Sequence, residues 1–292
     1  MARPWSAIGF ILMSASAQAH DSSSMAAAFL HTLMVEMDLP RAYGEYADPD
    51  FLEHNPEIGN GYAAKIAYFA ERQARDPNAA GPASWANVID HVIVSDDLFA
   101  VHRHVFMNAA DRGRVFVDIW RVAGGKIVEH WDVIQAVPDS PFPRDPRDSI
   151  TMWCGPGSNY AAARELPQTL HQPSCGAADP GANGEASVAL VRDYIHLLTL
   201  GERVRARRRF LAANYIEHAA GIDGGHSALS GTIVRILVQG NLVLIHRHAT
   251  PQGDARDRVA ADIFRVAGRR IAEHWEVSEV VPPKTVSGNT VW

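Results

Sequence analysis

The hydrophobic pattern of this chain changes period partway along, and the change occurs twice. Met25, Phe29, Leu33 and Met37 recur at helical spacing behind the capping run Asp21-Ser22-Ser23-Ser24. Residues 41–47 predict a second short helix ended by Asp48-Pro49, and residues 50–56 read as a turn. Residues 61–75 predict a third helix with Tyr62, Ile66 and Phe69 on one stripe. From Trp85 the period falls to two, and residues 88–94, 98–107, 114–122 and 126–137 predict four strands. Asp96-Asp97, Asp111-Arg112-Gly113 and Gly124-Gly125 supply the turns. Helices first and an antiparallel meander afterwards predict an α+β fold.

Residues 115–135 read VFVDIWRVAGGKIVEHWDVIQ, and residues 259–279 read VAADIFRVAGRRIAEHWEVSE. Asp118 matches Asp262, Arg121 matches Arg265, and Glu129-His130-Trp131 matches Glu273-His274-Trp275, all at one offset. His102-Arg103-His104 and His246-Arg247-His248 precede the two copies at the same distance. Self-similarity at a fixed offset predicts a duplicated domain. The second copy starts with predicted helices over 186–200 and 203–213, and Glu217-His218 mirrors Glu53-His54 at a larger offset. It therefore lacks a counterpart of the 61–75 helix. The expected divisions are 21–153, a Pro/Gly-rich linker over 154–184, and 185–292, with Thr151-Met152-Trp153 echoing Thr290-Val291-Trp292.

Composition adds limits. At 47% hydrophobic and 21% charged the chain is globular in type, and a net charge of -6 gives no electrostatic reason to expect nucleic acid or an anionic membrane. Arg3, a short apolar run over 5–13 and Ala17-Gln18-Ala19 have the form of a secretory signal peptide over 1–19. The expectation is export, periplasmic or secreted, after cleavage near Ala19, with no membrane span. In an oxidising compartment Cys154 and Cys175 predict a disulfide.

Alternation puts Phe116, Asp118 and Trp120 on one face of their strand and Val115, Val117 and Ile119 on the other. If Asp111 centres its turn, His104 stands opposite Asp118 and His102 opposite Trp120; if Gly124-Gly125 is a two-residue turn, Trp131 and Glu129 join them. This predicts a pocket face of His102, His104, Asp118, Trp120, Glu129 and Trp131, with His54 nearby. The second copy offers His218, His246, His248, Asp262, Phe264, Glu273 and Trp275. A one-residue slip would exchange the faces. His130 and His274 fall on the Val/Ile face as packing residues, and those apolar faces are expected to pack on each other within the chain or in a homodimer. His31, His91, His171, His196 and His226 read as ordinary surface or core histidines, and residues 203–209 as a solvated basic helix face. A carboxylate among aromatics with histidine opposite is an acid/base unit or a buried stabilising pair.

Leu52-Glu53-His54-Asn55-Pro56, Asp118-Ile119-Trp120-Arg121 and Gly125-Lys126-Ile127-Val128-Glu129-His130-Trp131-Asp132 resemble the SnoaL-like polyketide cyclases of the nuclear transport factor 2-like superfamily. The resemblance implies two cone domains, each a curved antiparallel sheet wrapped by N-terminal helices, the second one helix short. It implies an intramolecular aldol-type or proton-transfer reaction on a carbonyl compound without metal or cofactor. By position Asp118 would be the acid/base group with His104 beside it. Two other functions fit the same fold: a non-catalytic pocket for a small apolar molecule, and a metal site built on the His-x-His pairs. Residues 105–108 contain no glutamate of the kind a cupin places after its second histidine, which argues against metal. With its extra helix, the first copy is where activity is expected.

Overall fold

The computed structural model describes residues 15–75, 85–138, 152–154, 159–166, 170, 175–219, 229, 231–249 and 256–292. The apolar run over 5–13, His171 and His226 lie outside these residues, so the expectations placed on them have no structural counterpart here. No helix is long and apolar enough to cross a membrane among the described residues.

In the first half, α1 (Ala15–Leu30) runs into a π-helical turn (His31–Val35), followed by α2 (Leu39–Tyr46), β1 (Ala47–Glu53) and α3 (Gly61–Arg75). Then come β2 (Ala86–Ser95), β3 (Leu98–Phe106), β4 (Arg114–Ala123) and β5 (Lys126–Ala136). A short α4 (Tyr160–Glu165) leads to the second half: α5 (Gly184–Thr199), α6 (Arg203–Phe210), β6 (Leu211–Glu217), β7 (Thr232–Gln239), β8 (Leu242–Ala249), β9 (Arg258–Ala267) and β10 (Arg270–Val280). Strand order is β1-β5-β4-β3-β2 in one sheet and β6-β10-β9-β8-β7 in the other. The fold is α+β, as the change of period indicated.

The meander strands match their expected spans within about two residues, but three local expectations fail. The first helix begins before the Asp21–Ser24 run, which therefore does not cap it. The expected turn over 50–56 begins as β1, and the end of the expected helix over 203–213 is β6. Both strands pair in parallel with the last strand of their sheet, so each sheet has five strands and is mixed. Asp48-Pro49-Asp50 carries turn chemistry, but an edge strand tolerates proline because one side of its ladder is unpaired.

Each sheet has an apolar face against its own helices and another against its counterpart. Phe29, Tyr43, Phe51, Phe99 and Trp120 form the helix-side core of the first half, and Tyr194, Phe210, Val243 and Phe264 that of the second. Between the sheets, Val115, Val117, Ile119 and Val133 meet Leu244, Val259, Ala261, Ile263 and Val277 in one continuous core. The Val/Ile faces are thus buried against each other within one chain. The segment following the second sheet crosses to the first half: the Val286 N–H donates to the Pro56 carbonyl at 2.9 Å and the Asn289 amide to the Glu53 carbonyl at 2.9 Å.

Cys154 and Cys175 form a disulfide at a sequence separation of 21. The Cys175 N–H donates to the Asp90 carbonyl at 3.0 Å, and Arg265 donates to the Cys175 carbonyl, so the bridge ties the connecting segment to both halves. Reduction is expected to lower unfolding free energy by about 3 kcal/mol. Urea denaturation with and without reductant checks this, and coincident curves would remove the disulfide from the account of stability.

Candidate active site

The register of β3, β4 and β5 decides which side chains meet. Val101 stands opposite Asp118, and Asp118 opposite Asp132; Phe99, Trp120 and His130 form the next row, and Arg103, Phe116 and Ile134 the previous one. These residues share the helix-side face, where the π-helical turn, α2 and α3 close a cavity of about 450 Å³. Met34, Met37, Phe69, Trp85 and Met107 give it an apolar wall. Its floor is charged.

At the floor, Arg103 Nε donates to Asp118 Oδ2 at 2.7 Å, and His130 Nε2 lies 3.5 Å from Asp118 Oδ1. His130 Nδ1 donates to Glu53 Oε1 at 2.8 Å, and Lys65 Nζ donates to Glu53 Oε2 at 2.7 Å. Asn55 donates its amide to Asp132 Oδ2 at 2.8 Å, whereas Asp132 Oδ1 is buried without a hydrogen bond. Helix α3 contributes Lys65, which explains why a helix with few buried residues matters here. The turn after β1 contributes Asn55.

Burial alone would raise the pKa of every carboxyl here, and partners decide the outcome. For Glu53, burial is outweighed by His130 and Lys65, which pull its pKa to about 2. For Asp118, burial is outweighed by Arg103 and His130, which hold it well below the usual carboxylate range. His130 is pushed well above an ordinary histidine: burial opposes its charge, but Glu53 and Asp118 hold the proton on the ring. Asp132 is the exception. Burial dominates, Glu53 and Asp118 add repulsion, and its pKa rises to about 6. Asp118 is therefore a fixed anion and a weak proton acceptor near neutrality, whereas Asp132 is poised to exchange a proton.

The expected pocket face is corrected by this register. Asp118 and Trp120 do face the cavity, but His102, His104, Glu129, Trp131 and His54 lie on the opposite side, between the sheets. Two features cause the exchange. Val128 is an extra residue between the Val122–Ile127 and Arg121–Glu129 pairs, and a bulge shifts every later residue by one. The β3–β4 connection is not centred on Asp111; its carboxylate accepts from the Met107 and Gly113 N–H groups at 2.8 and 3.1 Å, so His104 pairs with Val115. His104 is thus no neighbour of Asp118: its Nδ1 donates to Asp90 Oδ2 at 2.8 Å and its ring stacks on Trp153 at 4.5 Å. His130, expected among packing residues, lies beside Asp118.

The displaced residues form two similar clusters between the sheets. His54 stacks on Trp131 at 4.8 Å and pairs with Glu129 at 2.8 Å, and Arg121 holds the other Glu129 oxygen. Arg235 from the second half lies 3.5 Å above the Trp131 ring and donates to His246 at 2.9 Å. In the other cluster His218 stacks on Trp275 at 4.8 Å, with Glu273 3.6 Å away. His91, at the position matching Arg235, meets Trp275 edge-on at 4.4 Å and shares a hydrogen bond with His102 at 3.1 Å. His91 is therefore an interface residue. His248 stacks on Trp292 at 3.9 Å and pairs with Asp257 at 3.0 Å.

The second helix-side floor repeats the first without the lysine. Asp262 accepts from Arg247 at 2.6 Å and from His274 at 3.1 Å, His274 donates to Glu217 at 2.8 Å, and Phe264 fills the core beside them. The Tyr215 hydroxyl donates to Glu217 at 2.6 Å where Lys65 serves Glu53. Asp262 is fully buried, whereas Asp118 borders the open cavity.

These shifts predict the dependence of stability on pH. Burial lowers His102 to about 4 against the pull of Asp90, and burial and then Arg235 lower His246 to about 3, so their stabilising effect is lost as pH falls below 6.5. Burial raises Asp132 to about 6, Glu276 to about 7 and Glu279 to about 8, contributions lost as pH climbs from the ordinary carboxylate range through those values. Near pH 5–6 the two sets oppose each other. Above pH 6.5, His274, raised to about 10 by Glu217 and Asp262 against burial, adds to the alkaline loss. Below pH 4.5, the lowered Glu53 and Asp118 add to the acid loss. Stability should peak near pH 5–6 and fall on both sides; urea midpoints rising steadily from pH 6 to pH 9 would contradict this.

Asp118, His130 and Asp132 could bring one ligand atom each within 4.8 Å of one another. However, Arg103, Lys65 and a protonated His130 already face these carboxyls, so the donor set suits a divalent cation poorly. Cys154, His218 and Glu273 also cluster, but the Cys154 sulfur is committed to the disulfide.

No family model and no curated protein matches the chain. Solved structures do. IdmH from Streptomyces antibioticus, named as a candidate polyketide cyclase, is 20% identical, with 39% of this chain and 91% of that chain covered and a TM-score of 0.30. A candidate ketosteroid isomerase from Kribbella flavida is 17% identical over 44% of this chain and 85% of that one, with a TM-score of 0.32. A nuclear transport factor 2-like protein of unknown function from Burkholderia xenovorans is 16% identical over 42% and 90%, with a TM-score of 0.33.

Sequence reasoning missed Arg103, Lys65, Asn55 and Asp132 as site residues. Arg103 and Asp132 had a signal, since Arg247 and Glu276 occupy the matching places in the second copy. Lys65 had none, because its helix has no second copy.

Proposed function

We propose that the first-half cavity is the active site of a cofactor-independent enzyme that moves protons on a carbonyl compound, as an isomerase, lyase or cyclase. The observation that carries this is Asp132: a buried carboxyl on the cavity floor, held through one oxygen by Asn55, with the other oxygen unpaired. Asp132 takes the proton from a carbon next to the carbonyl, and the C–H electron pair becomes an enolate. The same carboxyl then returns the proton to a second carbon, or the enolate carbon attacks a carbonyl in the same molecule and the resulting alkoxide takes the proton back from Asp132. Asp118 has a positioning role in this reading: with Glu53 it keeps His130 protonated, and that fixed positive charge faces the developing enolate. The apolar wall suits the rest of the substrate. The resemblance of the Glu129-His130-Trp131-Asp132 run to the SnoaL-like cyclases points to the same chemistry.

We also propose that the chain acts outside the cytoplasm. Its disulfide and the signal-like N-terminal sequence support that reading.

The test is hydrogen exchange in heavy water with a panel of enolisable ketones and 1,3-diketones, followed by proton NMR. Exchange above the buffer rate is expected for at least one compound. A panel that exchanges no faster than buffer would refute the proposal.

A further inference from the structure

Among the described residues, the first-half cavity has one lining residue that does not come from the first half. Glu279, near the end of β10, lines the same cavity as Asp132. Its position matches Gln135 in the repeat. Gln135 is satisfied across the interface, accepting from the Ser278 N–H at 2.8 Å. The reciprocal backbone group, Ile134 N–H, serves the Glu279 carboxyl, yet Glu279 Oε1 is buried without a hydrogen bond. The two halves therefore reach across to each other at matched positions, but only one of the two reaching side chains is an acid with an oxygen to spare.

Glu279 and Asp132 line the same cavity, and Asp132 Oδ1 is likewise buried without a hydrogen bond. Two carboxyls in one enclosed space do not both ionise readily. Burial first, and then the charge of Asp132, raises Glu279 to about 8; Glu57 adds to that rise, and Arg258 opposes it. Near neutrality Glu279 is a neutral acid that donates a hydrogen bond, while Asp132 accepts one. A group that satisfies both must accept from one and donate to the other. A hydroxyl or an enol does so, and a carboxylate or a bare hydrocarbon does not.

We propose that Glu279, supplied by the second half, is a specificity-determining residue of the first-half cavity, where it and Asp132 together bind a hydroxyl or enol group of the ligand. This rests on the proposed active site and narrows its substrate class to hydroxylated or enolised carbonyl compounds. It also gives the second half a role in the first half's site.

The test uses the full chain with 2-naphthol and naphthalene as probes, titrated by fluorescence. At pH 7 the wild type should bind 2-naphthol about tenfold more tightly than naphthalene, the ratio one such hydrogen bond supplies. Glu279→Met should abolish the preference. Glu279→Gln keeps a donor and mimics Gln135, so it should keep the preference at pH 7. It should also keep it at pH 8.5, where the wild type loses it as Glu279 ionises. A purely structural role for Glu279 would leave these ratios and their pH dependence unmoved, and that result overturns the proposal. So does a wild type that binds the two probes equally. If Glu279→Met keeps the preference while Asp132→Asn removes it, Glu279 fails and the Asp132 reading survives. If neither variant alters binding and no carbonyl compound exchanges hydrogen, both readings fall.

Discussion

Replacing Asp132 with Asn is expected to lower turnover by about 100- to 10,000-fold, the usual contribution of a positioned general base. The change is nearly isosteric and leaves an amide where the Asn55 side chain now donates to a carboxylate, so the substrate should still bind. The wild-type rate should rise with pH as Asp132 ionises, around pH 6, and that limb should vanish in the variant. Steady-state kinetics with whichever carbonyl compound exchanges hydrogen, alongside circular dichroism to check the fold, makes the measurement. A kcat within a few-fold of wild type would exclude Asp132 as the base. Asp118→Asn should act differently, because Asp118 is paired with Arg103 and His130 and exchanges no proton near neutrality. It should weaken the floor and reduce the rate without removing the limb.

The second large effect is on stability. Lys65→Met should lower unfolding free energy by about 3–5 kcal/mol, the loss typical when one member of a buried ion pair is removed. Lys65 is 4% exposed and Glu53 is fully buried, so Glu53 would keep His130 but lose a partner that water cannot replace. The double variant Lys65→Met with Glu53→Gln should recover much of the loss, because neither charge is then stranded. Urea denaturation of the three proteins measures both numbers. A single-variant loss below 1 kcal/mol would mean that the floor does not depend on this pair. The second half shows that the lysine is not the only solution, since Tyr215 hydrogen-bonds to Glu217 at the matching place.

Which residues form strands was legible from the apolar, β-branched runs of β2 to β5 between turn residues. Gly124 and Gly125 both take positive φ, 58° and 72°, the conformation a tight two-residue hairpin turn requires. Which residues meet was less legible. Asp118 and Trp120 were placed correctly because both lie on β4, where alternation needs no partner. His130 was misplaced and Asp132 was missed because Val128 bulges, and nothing in Lys126-Ile127-Val128-Glu129 marks the extra residue. His102 and His104 failed for a related reason: Asp111 folds its loop off-centre through its own side chain. Strand β1 was hidden because its parallel pairing with β5 is tertiary and its Asp-Pro-Asp sequence imitates a turn. Lys65 and Glu279 could not have been reached from the repeat, since one has no counterpart and the other acts in the opposite half.

The core shared by the two Val/Ile faces has a consequence for how the molecule behaves on dilution. Two separate chains joined by such a face would part as their concentration fell. Here the faces belong to one chain, and the connection between Ala136 and Gly184 makes their effective concentration independent of how dilute the protein is. Glu279 therefore stays in the first-half cavity at any protein concentration, and the site keeps its full set of residues where a two-chain assembly would already have come apart.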